Sequence, residues 1–230
     1  MTTISTKSGK VIKVVSSEEE KTTLTVSDSE MDARATEAVK AAINKAKICK
    51  KPMILVLAGP NGSGKSTITT FFDKVGKYTN ADDIVAATGM DNMEAAILVD
   101  KMRYESIDKK EDFTFETVLS SQYKLNILRK AKEEGYFIKC VFVLTIDPKI
   151  NITRIESRVA SGGHSVESSK VIERFYKSIN NIKELLEICD IMHVYDNTET
   201  PKRIIRKHKD DISIYPDEYW GEKAILELFE

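Results

Sequence analysis

The sequence predicts an α/β fold in which a parallel sheet carries helices on both faces. Short apolar runs rich in strand formers, at 53–58, 137–146 and 191–195, alternate with longer stretches at helical spacing. That alternation marks β-α-β units, whose crossover helices cover both faces of parallel strands. The first of these runs leads straight into the glycine-rich stretch Gly59-Pro60-Asn61-Gly62-Ser63-Gly64-Lys65-Ser66, followed by residues able to open a helix.

The chain of 230 residues has room for one α/β domain with an extension, and its 41% hydrophobic content supports a core. The 35 basic and 36 acidic residues nearly cancel, leaving a formal charge of −1 and no reason to expect a nucleic-acid partner. The basic run at 202–209 reads as the solvated edge of a strand or helix in preference to a nucleic-acid patch. Cys49, Cys140 and Cys189 are far apart and odd in number, with no CxxC pair, so neither a zinc site nor a disulfide framework is expected. Cys140, inside an apolar run, reads as a buried thiol. The N-terminus lacks the apolar core of a signal peptide, and no run reaches membrane-spanning length. No membrane partner is expected, and a reducing cytoplasm is the expected location.

Residues 1–28, rich in Ser, Thr, Glu and Lys, read as a loose hairpin or as disordered. Residues 29–49 read as a helix. Ser27 and Glu30 have capping-box spacing, and Ala35, Ala38, Val39, Ala42, Ile43 and Ala46 form one stripe. Pro52 ends this N-terminal helical extension, so 1–50 is set apart from a domain at 51–230. Strand 53–58 then leads through the glycine turn into a helix at about 65–74. An extended piece follows at 77–80, a helix at 91–108, a strand at 113–118 and a helix at 123–134. The long strand 137–146 comes next, then helices at 150–159 and 167–187 around Gly162-Gly163-His164. Strand 191–195 precedes an expected edge strand near 212–215 and a closing helix over 217–229.

The glycine stretch fits the phosphate-binding loop Gly-x-x-x-x-Gly-Lys-Ser/Thr, placed between strand and helix as that loop requires. Gly59, Asn61, Gly62, Ser63, Gly64 and Thr67 are the expected nucleotide cradle, in which backbone N–H groups meet phosphate oxygens. Lys65 supplies a point charge for the β- and γ-phosphates, and the Ser66 hydroxyl is the expected Mg²⁺ ligand. ATP or GTP with Mg²⁺ is therefore the expected cofactor.

Binding sites in a parallel sheet form beyond the C-terminal strand ends. Asp82 follows the second extended piece, where a carboxylate can orient a hydroxyl and take its proton; it could instead only cap the next helix. Glu116 and Thr117 end the strand at 113–118. An acid between Phe115 and Val118 suits a sugar or polyol substrate, or an ion pair at the strand end; Ser120 extends the same surface. Arg154 and Arg158, four apart on one helix face, suit a helical lid over the phosphates, or an ordinary solvated face. His164 lies beside that lid as a candidate for phosphate or substrate contact. Arg174 reads as an ordinary helix residue. The base-reading Asn-Lys-x-Asp motif of GTPases is absent from the fold, and no apolar strand ends in the aspartate of a motor ATPase. Both absences favour a small-molecule kinase.

Several strings occur together in order: Gly59 to Thr67, Asn80-Ala81-Asp82-Asp83-Ile84, Phe115-Glu116-Thr117 with Leu119-Ser120, and Arg158-Val159 with Gly162-Gly163-His164. Arg174, Tyr176 and Ser178, then Tyr195-Asp196-Asn197, complete them. Over roughly 52–200 the chain resembles the zeta toxin family of P-loop kinases, the toxin half of bacterial toxin–antitoxin pairs. The resemblance implies a P-loop NTPase/kinase-like fold and an ATP- or GTP-dependent kinase. The implied acceptor is UDP-N-acetylglucosamine, phosphorylated on the sugar 3′-hydroxyl. It implies Asp82 as catalytic base, Lys65 and Ser66 as phosphate and Mg²⁺ groups, Glu116 as the sugar-binding acid and Arg158 as a lid arginine. Two substrate-side positions depart from the family pattern: His164 stands near where a second lid arginine is found, and Val118 where a small hydroxyl residue is found. The implied partner is an antitoxin protein; the N-terminal segment lies outside the resemblance, and its helix 29–49 is either a fused piece that restrains the domain in cis or a simple structural extension. A kinase of another metabolite or antibiotic, and a catalytically idle nucleotide-dependent interaction module, are the competing readings.

Overall fold

The computed structural model describes residues 2–5, 11–14, 51–160 and 166–230. A hairpin of β1 (Thr2–Ser5) and β2 (Val11–Val14) comes first. The chain then alternates through β3 (Met53–Ala58), α1 (Lys65–Thr69), β4 (Lys77–Thr79), α2 (Ala81–Thr88), α3 (Asn92–Asp108), β5 (Phe113–Thr117), α4 (Gln122–Glu133) and β6 (Phe137–Leu144). Helices α5 (Pro148–Ala160), α6 (Ser168–Asn180) and α7 (Ile182–Ile188) precede β7 (Ile191–Asp196), β8 (Lys202–His208), β9 (Asp211–Ile214) and α8 (Glu222–Glu227). The strands form one sheet in the order β1-β2-β9-β8-β7-β6-β3-β5-β4.

From β4 to β7 every pairing is parallel. Strands covered on both faces read as continuous apolar runs, which is why β3 and β6 stand out in the sequence. Successive side chains point to opposite faces. Ile54, Val56 and Ala58 of β3 therefore join Ile138, Cys140, Phe142 and Leu144 of β6 under α4 and α7, which contribute Leu125, Leu128, Ile182 and Leu185. On the other face Leu55, Leu57, Val141 and Val143 pack against Ile68 of α1. Cys140 is buried, as its place in the run predicts.

Four local expectations are corrected. The helix expected to reach residue 74 stops after five residues, because Phe71 and Phe72 donate to the carbonyls of Ile68 and Thr69 three residues back and tighten the last turn. The helix expected over 167–187 is two helices. They part at Asn181, whose side chain turns to donate to the Leu119 carbonyl at 2.8 Å. The basic run at 202–209 is strand β8, antiparallel to β7 and β9, with Ile204, Ile205 and Lys207 buried; the Lys207 ammonium donates to the Cys189 carbonyl. Strand β9 is no edge, because β2 pairs parallel to its far side. The hairpin expected near the N-terminus is present as β1 and β2, while the helix expected over 29–49 lies outside the described residues.

Candidate active site

Between β3 and α1 the chain curls into a loop that only glycine fits at three points. Gly59 has φ +142, and a Cβ there would lie 2.0 Å from the Val143 carbonyl oxygen. Gly62 has φ +74, and a Cβ there would lie 2.5 Å from the Asn151 carbonyl oxygen; Gly64 has φ +86, and a Cβ there would lie 2.0 Å from Asn197 Nδ2. Two asparagines seat the loop from outside. Asn151 Nδ2 donates to the Asn61 carbonyl at 2.7 Å, and Asn197 Nδ2 donates to the Ser63 carbonyl at 2.8 Å. Thr145 fixes Asn151 by donating to its Oδ1 at 2.5 Å.

Buried polar atoms around this loop lack hydrogen-bond partners: Ser63 Oγ, Asn61 Oδ1 and one guanidinium nitrogen of Arg154. Native interiors leave few such groups, and the two that can donate, the Ser63 hydroxyl and the Arg154 nitrogen, suit an oxygen-rich ligand such as a phosphate; Asn61 Oδ1 only accepts. The Lys65 ammonium lies under the loop and donates to the carbonyls of Gly59 and Pro60 at 2.9 and 3.0 Å. Burial pushes its pKa down; Glu116 and Asp82 pull it up, and Arg158 adds to the lowering. Lys65 is thus electrically coupled to each residue expected to perform catalysis.

A cleft of about 730 Å³ opens over the C-terminal strand ends. Asn61, Gly62, Lys65, Asp82, Glu116, Thr117, Ser120 and Arg158, all expected site residues, line it. Gly59, Ser63 and Gly64 form the loop behind it, and Ser66 and Thr67 stand exposed on the first turn of α1. Arg154 turns toward the loop, donating to the Thr198 carbonyl at 3.0 Å. His164 lies outside the described residues.

The alternatives left open for the two carboxylates meet specific geometry. Asn80 caps α2, its Oδ1 accepting from the Asp82 N–H at 3.1 Å, so the Asp82 carboxylate is not spent as the cap. Glu116 accepts from the Tyr78 hydroxyl at 3.2 Å and makes no ion pair among the described residues. Burial and then Glu116 push the Tyr78 pKa up, so its hydroxyl keeps the proton it donates.

Other residues at the cleft are ones that sequence reasoning passed over. Arg103 and Lys124 line it from α3 and α4, both paired to Asp100, and Lys170 and Arg174 line it from α6. A charged residue on a helix carries no sign of which wall it faces. Arg174, which reads as an ordinary helix residue in sequence, stands exposed on α6 at the rim of this cleft. Asn197 is at least signalled, within the string Tyr195-Asp196-Asn197.

Among the described residues no cluster of three or more His, Cys, Asp or Glu side chains could hold a metal ion. One hydroxyl, Ser66, near a cleft bearing Asp82 is instead the sparse donor set of an Mg²⁺ shared with phosphate and water, so the residues fit that ion.

A glycine loop at the end of a central parallel strand, opening on a cleft lined by Asp82, Glu116 and Arg158, defines the class: a P-loop, kinase-like phosphotransferase. The Zeta toxin family model matches residues 78–218, more than half of the chain, and the chain belongs to that family. An uncharacterised protein of Haemophilus influenzae is 29% identical over 123 residues, which cover 51% of this chain and 88% of that protein. The structure of AvrRxo1-ORF1:-ORF2 with ATP is similar in fold, with a TM-score of 0.61 at 12% identity over 90% of this chain and 80% of that one. The PezAT toxin–antitoxin system of Streptococcus pneumoniae gives a TM-score of 0.48 at 17% identity, covering 76% of this chain and 81% of that one. No helix among the described residues is long and apolar enough to cross a membrane.

Proposed function

We propose that this chain transfers the γ-phosphoryl group of ATP or GTP to a hydroxyl of a nucleotide-linked sugar, with UDP-N-acetylglucosamine as the first acceptor to test. The observation that carries this reading is the meeting of Lys65, Asp82, Glu116 and Arg158 in one cleft beside the glycine loop.

The loop amides and Lys65 hold the β- and γ-phosphates. The unpartnered guanidinium nitrogen of Arg154 is a donor ready for a phosphate oxygen. Ser66 would hold Mg²⁺, which when bound neutralises charge on the phosphate oxygens. Asp82 orients the acceptor hydroxyl and takes its proton as the new O–P bond forms; the bond to the β–γ bridging oxygen breaks and the nucleoside diphosphate leaves. Arg158 offsets the charge that builds on the transferring group. Glu116, with its tyrosine donor, accepts hydrogen bonds from the sugar, and Thr117, Ser120 and His164 complete the acceptor side. The family suggests restraint by an antitoxin protein; residues 1–50 acting in cis on the domain at 51–230 are the alternative.

The test is to incubate the protein with γ-labelled ATP, Mg²⁺ and a panel of UDP-sugars and dinucleotides, and to identify the labelled product. Label on UDP-N-acetylglucosamine supports the full reading. Label on another member of the panel moves the acceptor, and label on none, with ATP bound unchanged, favours an interaction module.

A further inference from the structure

We propose that Arg103 is a positioning residue that ties the ends of β4 and β5 together and thereby sets the relation of Asp82 to Glu116. This rests on the phosphotransfer reading given above. Arg103 is 2% exposed, one of the largest side chains buried in the molecule. Its Nε donates to Thr79 Oγ1 at 3.0 Å, and one terminal nitrogen lies 3.3 Å from the Thr79 carbonyl and 3.4 Å from that of Glu116. The other terminal nitrogen donates to Asp100 at 2.8 Å, and the guanidinium lies 4.4 Å from the centroid of the Phe115 ring.

Thr79 ends β4, three residues before Asp82, and Glu116 stands at the matching end of β5. The ladder between these strands ends at the pair Thr79 and Phe115, so beyond it no backbone pairing fixes one strand end against the other. Arg103 takes over at that point. A lysine ammonium has three donors on one nitrogen, whereas the guanidinium fork spreads five over three nitrogens and so meets all four acceptor atoms of Thr79, Glu116 and Asp100. Lys124 holds Asp100 in turn, at 2.5 Å.

Stability alone does not account for the choice. Burying this cation is costly, as the lowering of its pKa by desolvation shows, and Asp100 offsets it. Apolar replacements of buried ion pairs are often neutral or stabilising. What an apolar side chain lacks is the tie between the two strand ends.

The test compares wild type, Arg103→Lys and Arg103→Met with γ-labelled ATP and UDP-N-acetylglucosamine. Arg103→Lys keeps a cation for Asp100 but loses the fork. Both variants are expected to lower kcat roughly 10- to 100-fold, since displacing a catalytic group by about 1 Å has effects of that order. The KM for ATP stays within about twofold, because the glycine loop is untouched. Combined with Asp82→Asn, Arg103→Lys is expected to add little further loss, since residues acting through one another are not additive. Unchanged kcat in folded Arg103→Lys overturns the proposal, as does full additivity or joint loss of ATP affinity and fold in both variants. If wild type transfers no phosphate to this acceptor, it is the acceptor or kinase reading that fails. Amide exchange at 79–83 and 117–120 then still reads the tie: faster exchange in Arg103→Lys supports it, and unchanged exchange overturns it.

Discussion

Asn197 Nδ2 donates to the carbonyl of Ser63 across 2.8 Å, joining the residue after β7 to the middle of the glycine loop, 134 positions earlier in the chain. The loop's shape is therefore held by the sheet as well as by its own glycines. A buried carbonyl left without its donor costs about 1–3 kcal/mol. Asn197→Ala is expected to lower stability by about that amount and to weaken ATP binding; urea unfolding and titration calorimetry measure the two effects.

Gly62→Ala places a methyl group at φ +74 and 2.5 Å from the Asn151 carbonyl oxygen. The left-handed backbone alone costs roughly 1–2 kcal/mol, and the carbonyl belongs to α5, which also carries Arg154 and Arg158. The expected result is a folded protein with a lower Tm and ATP affinity reduced about tenfold or more, which corresponds to some 1.4 kcal/mol. Calorimetric titration of ATP into the variant checks this.

His193 sits half-buried on β7 with Nδ1 buried and unpartnered. Burial, then the charges of Arg203, Lys139, Arg206 and His208, push its pKa down from 6.5 to about 4. The unfolded chain takes up a proton that the folded chain refuses, so stability is whole above pH 6.5 and is lost as the pH falls toward 4. His193→Gln is expected to flatten that limb of a plot of urea midpoint against pH.

The glycine loop is legible in sequence because its chemistry is contiguous: eight neighbouring residues contain the glycines, the lysine and the hydroxyl. Asp82 and Glu116 are legible because one follows a strand and the other stands at the end of one, and strand ends are where such sites form. Arg103, Asn151 and Asn197 are not legible in the same way. Their partners Thr79, Asn61 and Ser63 lie 24, 90 and 134 positions away, and only the sheet brings them together. The sheet also hides β8, whose Lys202, Arg203, Arg206 and Lys207 give it the composition of a solvated edge. Its Ile204 and Ile205 are enough to bury it, and the Lys207 ammonium finds a carbonyl. The lengths of α1 and α6 were set by turn hydrogen bonds and by Asn181, which helical spacing does not report.

The most direct measurement is a single-turnover assay of γ-phosphoryl transfer by wild type, Asp82→Asn and Lys65→Ala, with ATP affinity measured in parallel. Removal of the general base should slow transfer by roughly 100-fold or more while ATP still binds. Removal of the lysine should reduce both binding and transfer. If Asp82→Asn transferred phosphate at the wild-type rate, or Lys65→Ala bound ATP undiminished, phosphoryl transfer in this cleft by these residues would be contradicted.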